Sequence, residues 1–158
     1  MFKSAFRVLL LGVVAVFALQ GAAQAEDNGL PVDTRHLVML TKTAIIAVNQ
    51  ANQTGNYAVL RELAAPSFRD KNSVKDLEKI FAKLRQSNLD LSPIVIYNPQ
   101  FANTQITSKG FLRLTGHFPT KPLQVNFNLL FQPVGGQWRL LGVSLNPAKR
   151  GTPVTELR

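Results

Sequence analysis

Cysteine is absent from the 158 residues, and that absence removes several chemistries at once. No disulfide framework, zinc ribbon, thiol nucleophile or thioredoxin-type redox site can be built. Histidine occurs only as His36 and His117, so a His-rich metal centre is excluded too. Nine Asp and Glu face eighteen Lys and Arg, a formal charge of +9. The scarcity of acids is local, because no Asp or Glu lies between Leu91 and Thr155. Charged residues make up 17%, below the usual ~25%, and apolar residues 46%, which excludes a disordered, collagenous or coiled-coil chain. Gly-x-x-x-x-Gly-Lys-Ser/Thr, Gly-x-Gly-x-x-Gly and Gly-x-Ser-x-Gly are all missing. Nucleotide, dinucleotide and α/β-hydrolase chemistry therefore has no support, and no cofactor is expected.

What is present begins with an export signal. Lys3 and Arg7 precede Val8–Leu19, an uncharged and almost wholly apolar run. Ala23-Gln24-Ala25 then matches a small-x-small cleavage pattern. The run is shorter than the ~20 apolar residues that cross a membrane, so residues 1–25 read as a secretory signal peptide cut after Ala25. No stable membrane span is expected after processing. An exported chain without cysteine fits a bacterial periplasm best. Nucleic acid is not an expected partner there, and no reading motif for it is present.

Residues 26–33 read as a linker, 34–146 as one α+β domain and 147–158 as a flexible tail with Pro147 and Pro153. Asp33 or Thr34 caps a first helix to about Asn52, with Leu37, Leu40, Ala44, Val48 and Ala51 at helical spacing. Thr54-Gly55 stops it. Asn56 caps a short helix, Tyr57–Ala64, which Pro66 prevents from continuing. A third helix starts at a Ser73–Asp76 capping box and runs to about Gln86, with Val74, Leu77, Ile80, Phe81 and Leu84 as its apolar stripe. After Leu91 the texture becomes β. Strands are expected at Pro93–Tyr97, Phe111–Phe118, Leu123–Phe131 and Trp138–Leu145, with turns between the later ones at 119–122 and 134–137. Three helices followed by about four antiparallel strands define an α+β class.

Three blocks stand out in that order: Gly55-Asn56-Tyr57-Ala58-Val59-Leu60, Ala65-Pro66-Ser67-Phe68, and Gly136-Gln137-Trp138-Arg139-Leu140-Leu141-Gly142-Val143. With them the chain resembles the nuclear-transport-factor-2-like superfamily, the cystatin-like α+β cones, over roughly Thr34–Leu145. Asn56 departs from the acid frequent at that position. The resemblance implies a curved sheet covered by three helices, a cone holding a small apolar ligand, and a homodimer through the sheet. That superfamily hosts isomerases, dehydratases, secretion-machine components and non-catalytic binders, so fold alone leaves function open.

Proton-transfer chemistry needs a carboxylate or histidine beside the substrate carbon. On the sheet only His117 qualifies, and its alternation with Leu112, Leu114 and Phe118 puts it on the polar face with Arg113 and Thr115. Glu62, Asp70, Asp76, Glu78 and Asp90 lie on helices or their ends. His36 beside Asp33 would need two or three more ligands to hold a metal, so no metal site is expected. Tyr57, Phe68, Phe81, Tyr97, Phe127, Phe131 and Trp138 are the candidate ligand-lining residues, with core packing as the alternative for each. Lys71, Lys75, Lys79 and Lys83 form a ridge along the third helix, and Arg113 and Arg139 add charge on the sheet, a candidate basic surface for an anionic envelope partner. Gln124, Asn126 and Asn128 form an amide row suited to dimerisation. The expectation is an exported, non-catalytic binding or interaction domain. The alternatives are a small-substrate enzyme of isomerase or dehydratase type, or a component of an envelope assembly.

Overall fold

The structure, a computed structural model, describes residue 30 and residues 32–154. The signal segment, most of the linker and residues 155–158 lie outside the described residues.

Helix α1 spans Thr34–Thr54. The Asp33 side chain accepts the Arg35 and His36 backbone N–H groups, and Gly55 ends the helix at φ 71°. Only glycine takes that left-handed position without a Cβ penalty. Leu37, Ala44, Ile45, Val48 and Ala51 are buried, as their spacing requires. Asn56 accepts the Ala58 N–H and starts α2, Ala58–Leu63.

Pro66 does more than stop α2. It occupies the first turn of a separate helix, α3, Pro66–Lys71, where its missing N–H costs nothing. The expected third helix is also divided, into α4, Val74–Ile80, and α5, Ala82–Gln86. The break falls at Phe81, at φ −91° and ψ 4°. Phe81 is buried and stacks on Tyr57 with ring centroids 5.8 Å apart, a tertiary contact that no helical periodicity encodes.

Both halves of the Ser73–Asp76 capping box are formed. Hydrogen bonds from the Ser73 side chain and then its backbone hold the Asp76 carboxyl below its ordinary value, with Lys79 and Lys75 reinforcing them. A carboxyl depressed in the folded state contributes stability above its unfolded value, and that contribution is lost as pH falls through the folded one. An Asp76→Ala variant is therefore expected to be less stable than the parent at neutral pH. The gap should close as pH drops below 3.8. Denaturant midpoints near pH ~7 and ~2 read it; a gap of equal size at both pH values would refute the account.

Pro93–Tyr97 is not a strand. Ser92–Val95 forms a 3-10 helix in which Ile94 is buried while Val95 and Ile96 are 58% and 83% exposed. Asn49, buried on α1, accepts the Leu91 N–H and donates to Ser92 Oγ, and Asp90 accepts the Ser92 N–H at 2.9 Å. Those bonds hold the chain in a turn, overriding the β preference of Ile and Val.

The first strand, β1, is Gln100–Ile106, a polar segment that carries little strand signal because it is an edge burying little beyond Phe101. Strands β2, Leu112–Phe118, β3, Gln124–Val134, and β4, Gln137–Ala148, complete an antiparallel meander in the order β1-β2-β3-β4. Gly135 and Gly136, at φ 56° and 74°, make the two-residue β3–β4 turn. Leu114 faces Leu129, and Leu129 faces Val143. The row Val125, Phe127, Leu129 and Phe131 joins the buried helical side chains in one core cluster. Leu130, on the opposite row, is not part of it.

Residues 147–153 are tied to the fold rather than loose. Pro147 and Ala148 extend β4, where an edge position tolerates proline. Gly151 then donates to Gln124 Oε1 at 2.9 Å, and Gln124 Nε2 donates to the Thr152 carbonyl at 2.8 Å.

Candidate functional site

A pocket of about 260 Å³ opens between α1, α2 and the β3–β4 end of the sheet. Helix α1 contributes Leu40, Thr43, Ala44 and Ala47, one face at spacings of three and four residues. Leu60 and Leu63 of α2 form a second wall, and Phe131, Trp138 and Leu140 a third. Ala44 and Ala47 are the small residues of that face. Leu60, Phe131, Trp138 and Leu140 are buried, whereas Leu63 is exposed. Gln137 and Arg139 also line the pocket, and no carboxylate or histidine does. Such a lining binds by burial, at roughly 25 cal/mol per Å² of apolar surface, but holds no group that takes a proton from carbon at neutral pH.

Of the seven candidate lining residues, Phe131 and Trp138 meet here, while the other five stand elsewhere. Tyr57 is fully buried, donates to Asn52 Oδ1 at 2.6 Å and accepts from Arg85 at 2.9 Å. Its ring, stacked on Phe81, also lies under the Arg85 guanidinium. Those bonds explain its place in the core: a buried phenol needs a partner. Phe68 is buried in the core, and the half-buried Tyr97 packs against it. Phe127 sits between Phe101 and Phe118, with ring centroids at 6.0 and 5.6 Å. Burial favours filling space with these rings over leaving them around a void. The lining residues passed over, Leu40, Ala47 and Leu60 among them, carry one signal: paired small residues at 44 and 47 on an otherwise bulky helix face.

Four carboxylates, Glu62, Asp33, Asp76 and Asp90, take structural parts. Glu62 pairs with Arg61 at 2.7 Å and Arg69 at 3.1 Å at the surface. Asp33 and Asp76 cap helices, and Ser92 hydrogen bonds, assisted by Asn49, hold Asp90 below its ordinary value. Among the described residues no group of three His, Asp or Glu could hold a metal ion. No helix among them is long and apolar enough to cross a membrane.

The lysine ridge is not continuous. Lys71 ends α3, Lys75 and Lys79 lie on α4, and Lys83 lies on α5, with the extended Asn72 breaking the first interval. All four are exposed. Arg113 and Arg139 stand instead on the sheet row that faces away from the core, opposite Leu130 and Gln132. The helical lysines and the sheet arginines are thus separate features.

The amide row is buried rather than open. Gln124, Asn126 and Asn128 are 2%, 5% and 8% exposed, and the first two are bonded to the chain's own C-terminal segment, Asn126 through the Pro153 carbonyl. Comparison with protein-family models, with curated proteins and with solved structures finds no match for the chain.

Proposed function

We propose that this is an exported, periplasmic binding domain without catalytic activity, a helix-covered cone that holds a small apolar ligand between α1, α2 and the β3–β4 end of the sheet. The observation that carries the reading is the 260 Å³ pocket with apolar walls and no proton-transfer group. Its size lies just below the roughly 300–1,000 Å³ of sites for drug-sized molecules, which suits a ligand of one ring or a short chain. Gln137 and Arg139 border the pocket on either side of Trp138.

The test fills the pocket from the helix. In Ala47→Phe a half-buried methyl becomes a ring directed into the space between α1 and Trp138. The probe is toluene, followed by its effect on Trp138 emission, with unfolding midpoints run in parallel. The parent is expected to saturate with toluene, and Ala47→Phe to bind at least about tenfold more weakly, or ~1.4 kcal/mol, while still unfolding cooperatively. Equal binding by the two proteins would place the ligand elsewhere. Failure of the parent to bind toluene or other single-ring hydrocarbons would end the apolar-ligand reading.

A further inference from the structure

We propose that residues 149–154 form an exchangeable strap, and that two copies of this chain dimerise by each seating its strap on the amide row of the other. Three observations on the segment after β4 lead there.

The first is how the strap is held. Strand β4 ends at Ala148, opposite Gln124. The chain then turns, with the Lys149 carbonyl accepting the Thr152 N–H at 3.1 Å and the Thr152 hydroxyl at 2.7 Å, and Gly151 at φ 80°. It runs back along β3, reaching Gln124 with Gly151 and Thr152 and then Asn126 with Pro153. Those three hydrogen bonds are all that join the strap to the sheet among the described residues. Lys149–Pro153 are exposed and Val154 is half-buried, so little apolar surface anchors the segment. Three neutral hydrogen bonds are a modest net hold. It is incomplete at its far end, where Asn128 Nδ2 is buried without an acceptor in the depression that Val154 borders.

The second is what the row reads. Gln124 accepts the Gly151 N–H and donates to the Thr152 carbonyl, and Asn126 donates to the Pro153 carbonyl. Every group recognised belongs to the main chain of the strap. The same segment of a second copy offers the same groups in the same order. Gln124 and Asn126, 2% and 5% exposed, therefore stay covered and bonded in either arrangement, and exchange leaves no buried amide unpaired. Replacing an internal contact by its identical counterpart from another copy is a low-cost route to a dimer.

The third is position. Because Ala148 faces Gln124, the root of the strap and the start of the row lie together at one end of the sheet. Two copies that meet at that end bring each root beside the other's row, a closed two-fold arrangement. With the turn opened, the four residues from 149 to 152 reach about 13 Å beyond β4. Leu123, next to Gln124, is 36% exposed and gives the approaching copies an apolar contact. Lys121, Lys149 and Arg150 are exposed at this end, and no Asp or Glu lies between Leu91 and Thr155 to offset them. Like charges therefore oppose the approach, and salt favours the exchanged form.

Oligomeric state and directed cross-linking test this. A strap tethered by a short turn has an effective concentration of about 1 mM on its own row, so the parent is expected to be monomeric at about 10 μM and to dimerise near 1 mM. Salt at about 0.5 M should increase the dimer. Gly151→Val is the decisive variant. An added Cβ meets nothing within 4 Å, so its penalty is the left-handed conformation of the closed turn, which an opened turn does not require. Light scattering should show its dimer at a concentration at least about tenfold lower than the parent's. Absence of cysteine gives a second reading. Val154 and Asn146 border one depression, so a copy bearing Val154→Cys mixed with a copy bearing Asn146→Cys should yield an oxidised heterodimer, identified by mass. Gly151→Val should raise that yield, and Lys75→Cys on α4 in place of Asn146→Cys should abolish it. A Gly151→Val protein that stays monomeric at 1 mM would overturn the proposal. So would cross-linking to Lys75→Cys as strong as to Asn146→Cys, which would mean collision rather than seating. Saturable binding of a free peptide of residues 150–154 to the monomeric parent at micromolar concentration would also overturn it, by making the row a receptor for foreign peptides.

Discussion

Replacing Phe127 by Ala is expected to lower the stability by about 3–5 kcal/mol, the range for truncating a buried aromatic. The ring is 1% exposed and central to β3. It meets Phe101 edge-on, with planes at 80°, and Phe118 at a tilt of 52°. Such contacts add about 0.5–1.5 kcal/mol per pair beyond the area buried. The neighbours cannot collapse into the space easily, because Phe101 and Phe118 sit on strands whose register is held by their own ladders. Denaturant midpoints with an unchanged m-value give the measurement. A loss under about 1 kcal/mol would show that the ring edges a void instead of filling the core. His117→Ala, on the opposite row, is the contrast. The imidazole makes no hydrogen bond among the described residues, so its removal should change stability by less than about 0.5 kcal/mol.

Gly116→Ala should be nearly as damaging, by about 3 kcal/mol, at the upper end of what overpacking costs. Gly116 lies opposite Phe127 on β3 and opposite Phe101 on β1. An added Cβ would stand 2.8 Å from Phe127 Cζ and 3.0 Å from Phe101 Cα, and it would meet the Gln100 carbonyl oxygen as well. The aromatic ring can turn aside, but backbone atoms of β1 cannot move without breaking that strand's pairing. Urea unfolding gives the size of the loss, and amide exchange along β1 shows where it falls. In the Phe127→Ala background the clash with the ring disappears while the one with the Gln100 carbonyl remains. The Gly116 penalty should therefore shrink but persist. A variant as stable as the parent would mean that β1 shifts freely at this point.

Legibility followed the range of the interaction. The Asp33 cap, the Gly55 stop and the Ser73–Asp76 box each involve residues within a few positions of one another, and each forms as its local pattern indicates. The alternation in Leu112–Phe118 and Leu123–Phe131 likewise places the core row, because a buried face imposes a period of two. Where pairing at a distance competed with local preference, distance won. Ile94 and its neighbours lost a strand to hydrogen bonds from Asn49, more than forty residues upstream. Gln100–Ile106 became a strand by pairing with β2, although its own polar side chains show no buried face.

The amino-acid sequence by itself determined the α+β order, the helix caps, the core row of β3 and the absence of acids from the sheet, since composition and short-range spacing carry all of these. Only the tertiary structure decided which aromatics fill the core and which border a pocket. Ala47 and Trp138 stand far apart in the chain and reach one cavity only after α1 packs against the β3–β4 end of the sheet. The same holds for the C-terminal segment across Gln124 and Asn126, and for the unfilled donors of Arg113, Arg139 and Asn128. Packing leaves space, or a donor without an acceptor, only as the sum of contacts among many residues, and no short stretch of chain contains that sum.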